Sequence, residues 1–362
     1  MKTENNTRPR ARDVGVTIGK MPTGALNAIT DVPGVKVGHV ALIEGEGKLI
    51  IGRGPIRTGV TAIVPHSGNI FTEKVCAAAH IINAFGKSVG LPQVIELGNI
   101  ETPIMLTNTL NVWTVADAVV DYIARQNEGV YSFNPVVGEC NDSGLNDILG
   151  RHVKREHVFQ ALENASETNV EEGNVGAGVG MTGFGWKGGI GTASRLLPKD
   201  LGDFTLGVMV LTNTGAATDL RIDGIPVGRE LTPDSYSEDA SGSIMIIVAT
   251  DAPLSARQLS RVARRAAFGL ARTGATASHG SGDFVIAFST GNRISAASKQ
   301  AAASDEFVPE HQLSSLFRAV IEATEEAIVN SILKAETMTG RDGNTRVGIP
   351  IERVIAIISK HR

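Results

Sequence analysis

Apolar positions along the chain fall into two patterns. Short unbroken runs predict strands covered on both faces. They are "RTGVTAIVPH" (57–66), "PIMLT" (103–107), "FTLGVMVLT" (204–212), the stretch Ile244–Ala249 and "DFVIAFS" (283–289). Further strand-like pieces are 28–30, 35–41 and "QVIEL" (93–97). Other segments repeat apolar residues every three to four positions and predict helices. These are 72–84 (Val75, Ala78, Ala79, Ile82), 112–125 (Val115, Val119, Ile123) and the long stretch 313–335. "SARQ" has the form of a capping box with Ser255 at the N-cap and Gln258 at N3. The helix it opens would bury Leu259, Val262, Ala266 and Leu270. Buried strands interspersed with long helices predict an α/β core in which helices cover sheets.

Composition narrows the class. At 362 residues the chain is long enough for about two domains on length alone. The net charge of −4 comes from interspersed signs, which excludes the basic stripe of a nucleic-acid binder. Two cysteines, Cys76 and Cys140, are too few for a disulfide framework and form no CxxC pair. No histidine spacing suggests a metal site, so neither a metal nor a cofactor is expected. The N-terminal stretch lacks an apolar leader, and no run is long enough to span a membrane. A cytoplasmic protein with no membrane partner is expected.

Three motif matches are set aside. "GKSVG" (86–90) has the form of a nucleophile elbow, but Ser88 would follow a helix and precede a strand, the reverse of what an elbow needs. "GVGMTG" (178–183) matches a dinucleotide fingerprint, yet this region carries nine glycines in nineteen residues (173–191) and cannot open a stable helix. His279 reads as a surface-loop residue. Arg257, Arg261, Arg264, Arg265 and Arg272 read as the solvated face of one helix.

One feature remains. "TPDSYSEDASG" (232–242) is a polar loop, nine of eleven residues being Ser, Thr, Asp, Glu, Gly or Pro, and it runs directly into a buried strand. Ser243 stands at the junction, after Gly242, whose carbonyl no side chain shields. Attack by this hydroxyl on the preceding carbonyl would leave a serine with a free α-amine, and such an N-terminal nucleophile needs no histidine. Spacing alone leaves an ordinary turn as the alternative.

"GSIMIIVATDAPL" resembles the autoprocessing site of the DmpA family, the L-aminopeptidase/D-esterases and β-peptidyl aminopeptidases. "ITDVPGVKVGHV", "QVIELGNIETPIMLTNTLNV", "VVGECNDSGLND", "GNVGAGVGM", "GIPVGRE", "GSGDFVIAFST" and "AETMTGRDG" are similar to that family's blocks, in its order, over nearly the whole chain. The resemblance implies a single αββα four-layer sandwich related to the N-terminal nucleophile hydrolases. It implies self-cleavage into 1–242 and 243–362, with four such pairs assembling as a homo-oligomer. By position, Ser243 matches the nucleophile, and Ser281 and Asp283 match the hydroxyl and acid that support it. Asn213 matches an oxyanion donor and Glu139 the carboxylate that receives the substrate's amino group. Asn141 stands where one branch has a tyrosine donor. The implied substrates are short peptides, amides or esters with a free amino group. An acyltransferase of the ornithine acetyltransferase type, whose nucleophile is Thr after Ala, and a non-catalytic amine or peptide binder are the competing readings.

Overall fold

The computed structural model describes residues 8–234, 236, 242–295 and 307–362. Most of the polar loop expected at 232–242 lies outside the described residues. In chain order the elements are β1 (Lys36–Glu44), β2 (Ile56–Val64), β3 (Glu73–Ala84), α1 (Leu91–Leu97), β4 (Asn99–Ile100), β5 (Ile104–Asn108), α2 (Val112–Gln126), β6 (Val136–Cys140) and α3 (Arg155–Glu163). They continue with β7 (Thr182–Gly183), β8 (Trp186–Lys187), β9 (Gly189–Leu196), β10 (Thr205–Asn213), β11 (Ser243–Thr250), α4 (Ala256–Arg272), β12 (Gly282–Ser295), α5 (Leu313–Leu333), β13 (Met338–Thr339), β14 (Thr345–Arg346) and α6 (Ile351–His361).

Two sheets stack face to face. One has the order β1-β2-β5-β6 and the other β4-β3-β12-β11-β10-β9. Helices α2 and α3 cover the outer face of the smaller sheet, and α4 and α5 cover that of the larger. The result is the expected αββα sandwich. β11 explains its own apolar run. Met245, Ile247 and Ala249 enter the core between the sheets, while Ile244, Ile246 and Val248 face the layer of α4 and α5. Both faces are covered, so the run between Ser243 and Thr250 is apolar throughout.

Two predicted elements exchange type. The segment 72–84 is not a helix but β3, paired antiparallel with β12. Its alanines imitate a helical stripe, yet Ala77 faces the intersheet core and Ala78 the α4 side. Small side chains let α4 lie close over this strand, and pairing with β12 overrides helix propensity. The segment 93–97 is not a strand but α1. Gly90 precedes it in the left-handed region, Pro92 occupies its first turn, and Gly98 closes it with an N–H bond to the Val94 carbonyl. The piece expected as a strand at 28–30 is a 3₁₀ turn, Ile29–Asp31. The capping box at Ser255 is present, with Ser255 Oγ accepting from the Gln258 N–H.

The motifs set aside are not built as their patterns require. Ser88 lies between β3 and α1, so strand does precede helix, contrary to expectation. The connection is nevertheless a loop spanning 85–90, and Ser88 lines no part of the cavity described below. After 178–183 the chain forms the short β7–β8 hairpin, not a helix. Among the described residues no helix is long and apolar enough to cross a membrane, and no group of three His, Cys, Asp or Glu could hold a metal ion.

Candidate active site

Three strand ends meet at Ser243. It is the first residue of β11, opposite Asn213 at the end of antiparallel β10 and beside Gly282 at the start of parallel β12. The Gly282 N–H lies 3.2 Å from Ser243 Oγ and 3.3 Å from the Gly242 carbonyl oxygen. One backbone donor therefore reaches both the hydroxyl and the carbonyl it would attack. The approach admits only glycine. A Cβ on Gly242 would lie 2.3 Å from the Asn213 carbonyl oxygen, and one on Gly282 would lie 2.6 Å from the Gly86 backbone. Ser243 is 7% exposed.

Ser281 and Asp283 flank Gly282. Ser281 Oγ lies 2.5 Å from Asp283 Oδ2 and 2.8 Å from the Ser278 carbonyl. Burial pushes the Asp283 carboxyl above its ordinary range, and the Ser281 hydroxyl and the Ile244 N–H offset part of that rise. Neither side chain lines the cavity in front of Ser243.

Asn213 is held at both ends of its amide. Oδ1 accepts from the Thr182 N–H at 2.8 Å, and Nδ2 donates to the Asn141 carbonyl at 3.1 Å. An amide nitrogen carries two protons, so one remains for a further acceptor. Asn141 turns its own Oδ1 back to the Ser143 N–H, 2.9 Å away. Its contact with Asn213 runs through its backbone carbonyl.

Glu139 lies in β6 and is 2% exposed. Oε1 accepts from the Lys87 N–H at 2.8 Å and Oε2 from the Thr109 hydroxyl. Both donors are neutral, and among the described residues no cation pairs with this carboxylate. A buried carboxylate so arranged favours a cationic partner from outside. Its neighbour Cys140 points into the intersheet core, where burial pushes the thiol well up.

Ser243, Gly242, Asn213, Glu139 and Asn141 share one cavity of about 1050 Å³, together with Phe85, Tyr236 and Arg346. His279 is exposed and stacks at a tilt on Phe85, with centroids 6.2 Å apart. Of the arginines on α4, Arg257 and Arg261 pair with Glu310, and Arg265 lies over Phe317.

Residue patterns do not reveal what holds this wall. The fully buried Lys187 donates from Nζ to the carbonyls of Gly178, Met181 and Gly188. It thereby ties down the turn whose Thr182 amide orients Asn213. Burial pushes its ammonium down and pushes the carboxyl of nearby Asp142 up.

Residues 27–346 match the model of peptidase family S58. The chain is 45% identical to the β-peptidyl aminopeptidase BapA of Sphingosinicella microcystinivorans, over 98% of this chain and 93% of that one. The crystal structure of the PH0078 protein from Pyrococcus horikoshii OT3 superposes with a TM-score of 0.93 at 52% identity, covering 98% of this chain and 99% of the other. The L-aminopeptidase D-Ala-esterase/amidase from Ochrobactrum anthropi, described as a prototype serine aminopeptidase and a new variant among the Ntn hydrolase fold, superposes with a TM-score of 0.91 at 37% identity, with the same coverage.

Proposed function

The chain belongs to peptidase family S58, the DmpA family, and is an aminopeptidase hydrolase; from this we propose that it cuts itself between Gly242 and Ser243 and then uses Ser243 as its nucleophile. In processing, Ser243 Oγ attacks the Gly242 carbonyl carbon. The C–N bond breaks, the acyl group passes from nitrogen to oxygen, and water hydrolyses the ester. Gly242 ends as a carboxylate and Ser243 gains a free α-amine. The Gly282 N–H, within reach of both atoms, supports this reading.

In turnover, the ammonium group of the substrate pairs with Glu139, which sets the carbonyl of the first residue against Ser243. The α-amine has an unperturbed pKa of about 7.7–8.0, so a useful fraction is neutral near pH 7 and accepts the hydroxyl proton. The Ser281–Asp283 pair supports that transfer. The free proton of Asn213 Nδ2 stabilises the tetrahedral oxyanion. The leaving amine departs with a proton, an acyl ester remains on Ser243, and water releases the amino acid. Substrates are peptides or amides; the finer class, short peptides, amides and esters with an unblocked amino terminus, rests on Glu139. The family resemblance supports an assembly of four processed pairs.

The observation that carries this reading is the meeting in one cavity of Ser243, Asn213 and Glu139, a carboxylate with no cationic partner among the described residues. Intact mass spectrometry of the purified protein is expected to find two chains split after Gly242. Ser243→Ala is expected to give one chain that is inert towards amino-acyl p-nitroanilides. Full turnover by the unsplit variant would overturn the reading.

A further inference from the structure

We propose that Arg346 forms a carboxylate-binding subsite at the leaving-group end of the cavity, so that the preferred substrates are short peptides with a free C-terminal carboxylate. The proposal rests on the aminopeptidase reading of Ser243 and Glu139.

The wall of the cavity runs in sequence from Glu139 through Asn141 to Ser143 and Gly144. Glu139 marks the amine end. The Asn141 carbonyl holds the Asn213 amide, so the reacting carbonyl belongs at the middle of this wall. Arg346 lies beyond it: its Nη2 is 3.9 Å from the position a Cβ on Gly144 would take. The order along the wall is thus anion, oxyanion donor, cation. A peptide lying along it from amino to carboxyl end meets those charges in the complementary order.

The guanidinium stands on a rigid support. The β13–β14 hairpin is bound to the 143–145 turn by Arg341 Nε to the Ser143 carbonyl (2.5 Å), Asn344 Nδ2 to the Gly144 carbonyl (3.0 Å) and the Arg341 N–H to the Leu145 carbonyl (2.9 Å). Arg57 Nε holds the Thr339 carbonyl at 2.8 Å, and the Lys187 N–H holds the Val347 carbonyl at 2.8 Å. Such anchoring keeps a charged side chain in register with the reacting centre. Arg346 Nη1 reaches only the Thr345 carbonyl, at 3.2 Å, and among the described residues no carboxylate pairs with Arg346. Lys87 also lines the cavity, but it belongs to the amine end. Its N–H binds Glu139, its ammonium donates to the Phe85 carbonyl, and it lies over the Phe85 ring. A substrate carboxylate beside Glu139 would meet a like charge. Arg346 is free of that conflict and offers the planar fork that suits a carboxylate.

The test compares kcat/KM for a dipeptide with that for its C-terminal amide, in the processed parent protein and in Arg346→Met and Arg346→Lys, with the matching p-nitroanilide as control. The parent is expected to favour the free acid by about tenfold to a hundredfold, as a charge-assisted contact implies. The preference is expected to sit mainly in KM and to shrink as ionic strength rises. Arg346→Met is expected to bring the acid-to-amide ratio to about one, and Arg346→Lys to leave part of it. A parent that turns over acid and amide equally would overturn the subsite, as would an Arg346→Met protein that keeps the full ratio. Failure of the parent to cleave the anilide strikes the aminopeptidase reading itself, and the subsite falls with it.

Discussion

Asn213 and Ser243 are directly opposed across β10 and β11, the last residue of one strand facing the first of the other. Strand register therefore sets the distance between the proposed oxyanion donor and the proposed nucleophile. A slip of one residue by either strand would leave the two side chains on opposite faces of the sheet. Asn213→Ala removes the donor while leaving the strand intact. The expected result is a fall in kcat of about 10²–10³, the range for losing one such donor, with KM little changed. Steady-state kinetics on an amino-acyl p-nitroanilide checks it.

Gly242→Ala tests processing without touching the nucleophile. The added methyl would lie 2.3 Å from the Asn213 carbonyl oxygen and 2.7 Å from the Thr214 Cα, both backbone atoms that cannot step aside. The variant is expected to remain a single chain of full mass by denaturing electrophoresis. Efficient splitting of this variant would show that the carbonyl is not held as described.

Glu139→Gln keeps the shape and removes the charge. The parent is expected to reject N-acetylated substrates strongly, because they bury Glu139 without a cation. The variant is expected to lose about a hundredfold in kcat/KM for substrates with a free amine, consistent with the loss of a charge-assisted contact. Its discrimination against acetylated substrates should narrow at the same time, which simple misfolding would not produce.

The acid side of the pH profile carries two groups. The α-amine of Ser243, with an unperturbed pKa of about 7.7–8.0, gives the first fall in kcat/KM as it is protonated. Burial raises the pKa of Asp283, so its ionised form is lost at a higher pH than for an exposed aspartate as the solution is acidified. A second fall is expected below the first and above the ordinary carboxylate range. A second fall at or below that range, or an Asp283→Asn protein with unimpaired turnover, would remove Asp283 from its supporting role.

His39 sets a separate pH effect, on stability. Burial lowers its pKa from 6.5 to about 4, and Nε2 has no hydrogen-bonding partner among the described residues. Between these values the unfolded chain binds more protons than the folded one, so stability falls as pH drops from 6.5 towards 4. The loss attributable to this ring is at most about 3 kcal/mol. Thermal unfolding of His39→Leu is expected to show a shallower decline over that interval than the parent.

What could be read from residue order was whatever depends on neighbours in sequence. Unbroken apolar runs such as Ile244–Ala249 identified strands covered on both faces, since a side-chain alternation with two buried faces favours apolar residues at successive positions. Ser255 and Gln258 marked the start of α4, because a cap is a contact between residues three apart. Gly242–Ser243, and through resemblance Asn213, Glu139, Asn141, Ser281 and Asp283, marked the candidate site, and all but Ser281 and Asp283 line one cavity. Tertiary structure decided the rest. The alanines of β3 satisfy helix and strand patterns alike, and only pairing with β12 and cover by α4 chose between them. The Gly282 and Thr182 amides, the Lys187 ammonium and the Arg346 guanidinium reach the site from distant segments. Every residue except proline carries a backbone amide, so no residue letter announces which one will face a nucleophile. Register and packing alone make that selection.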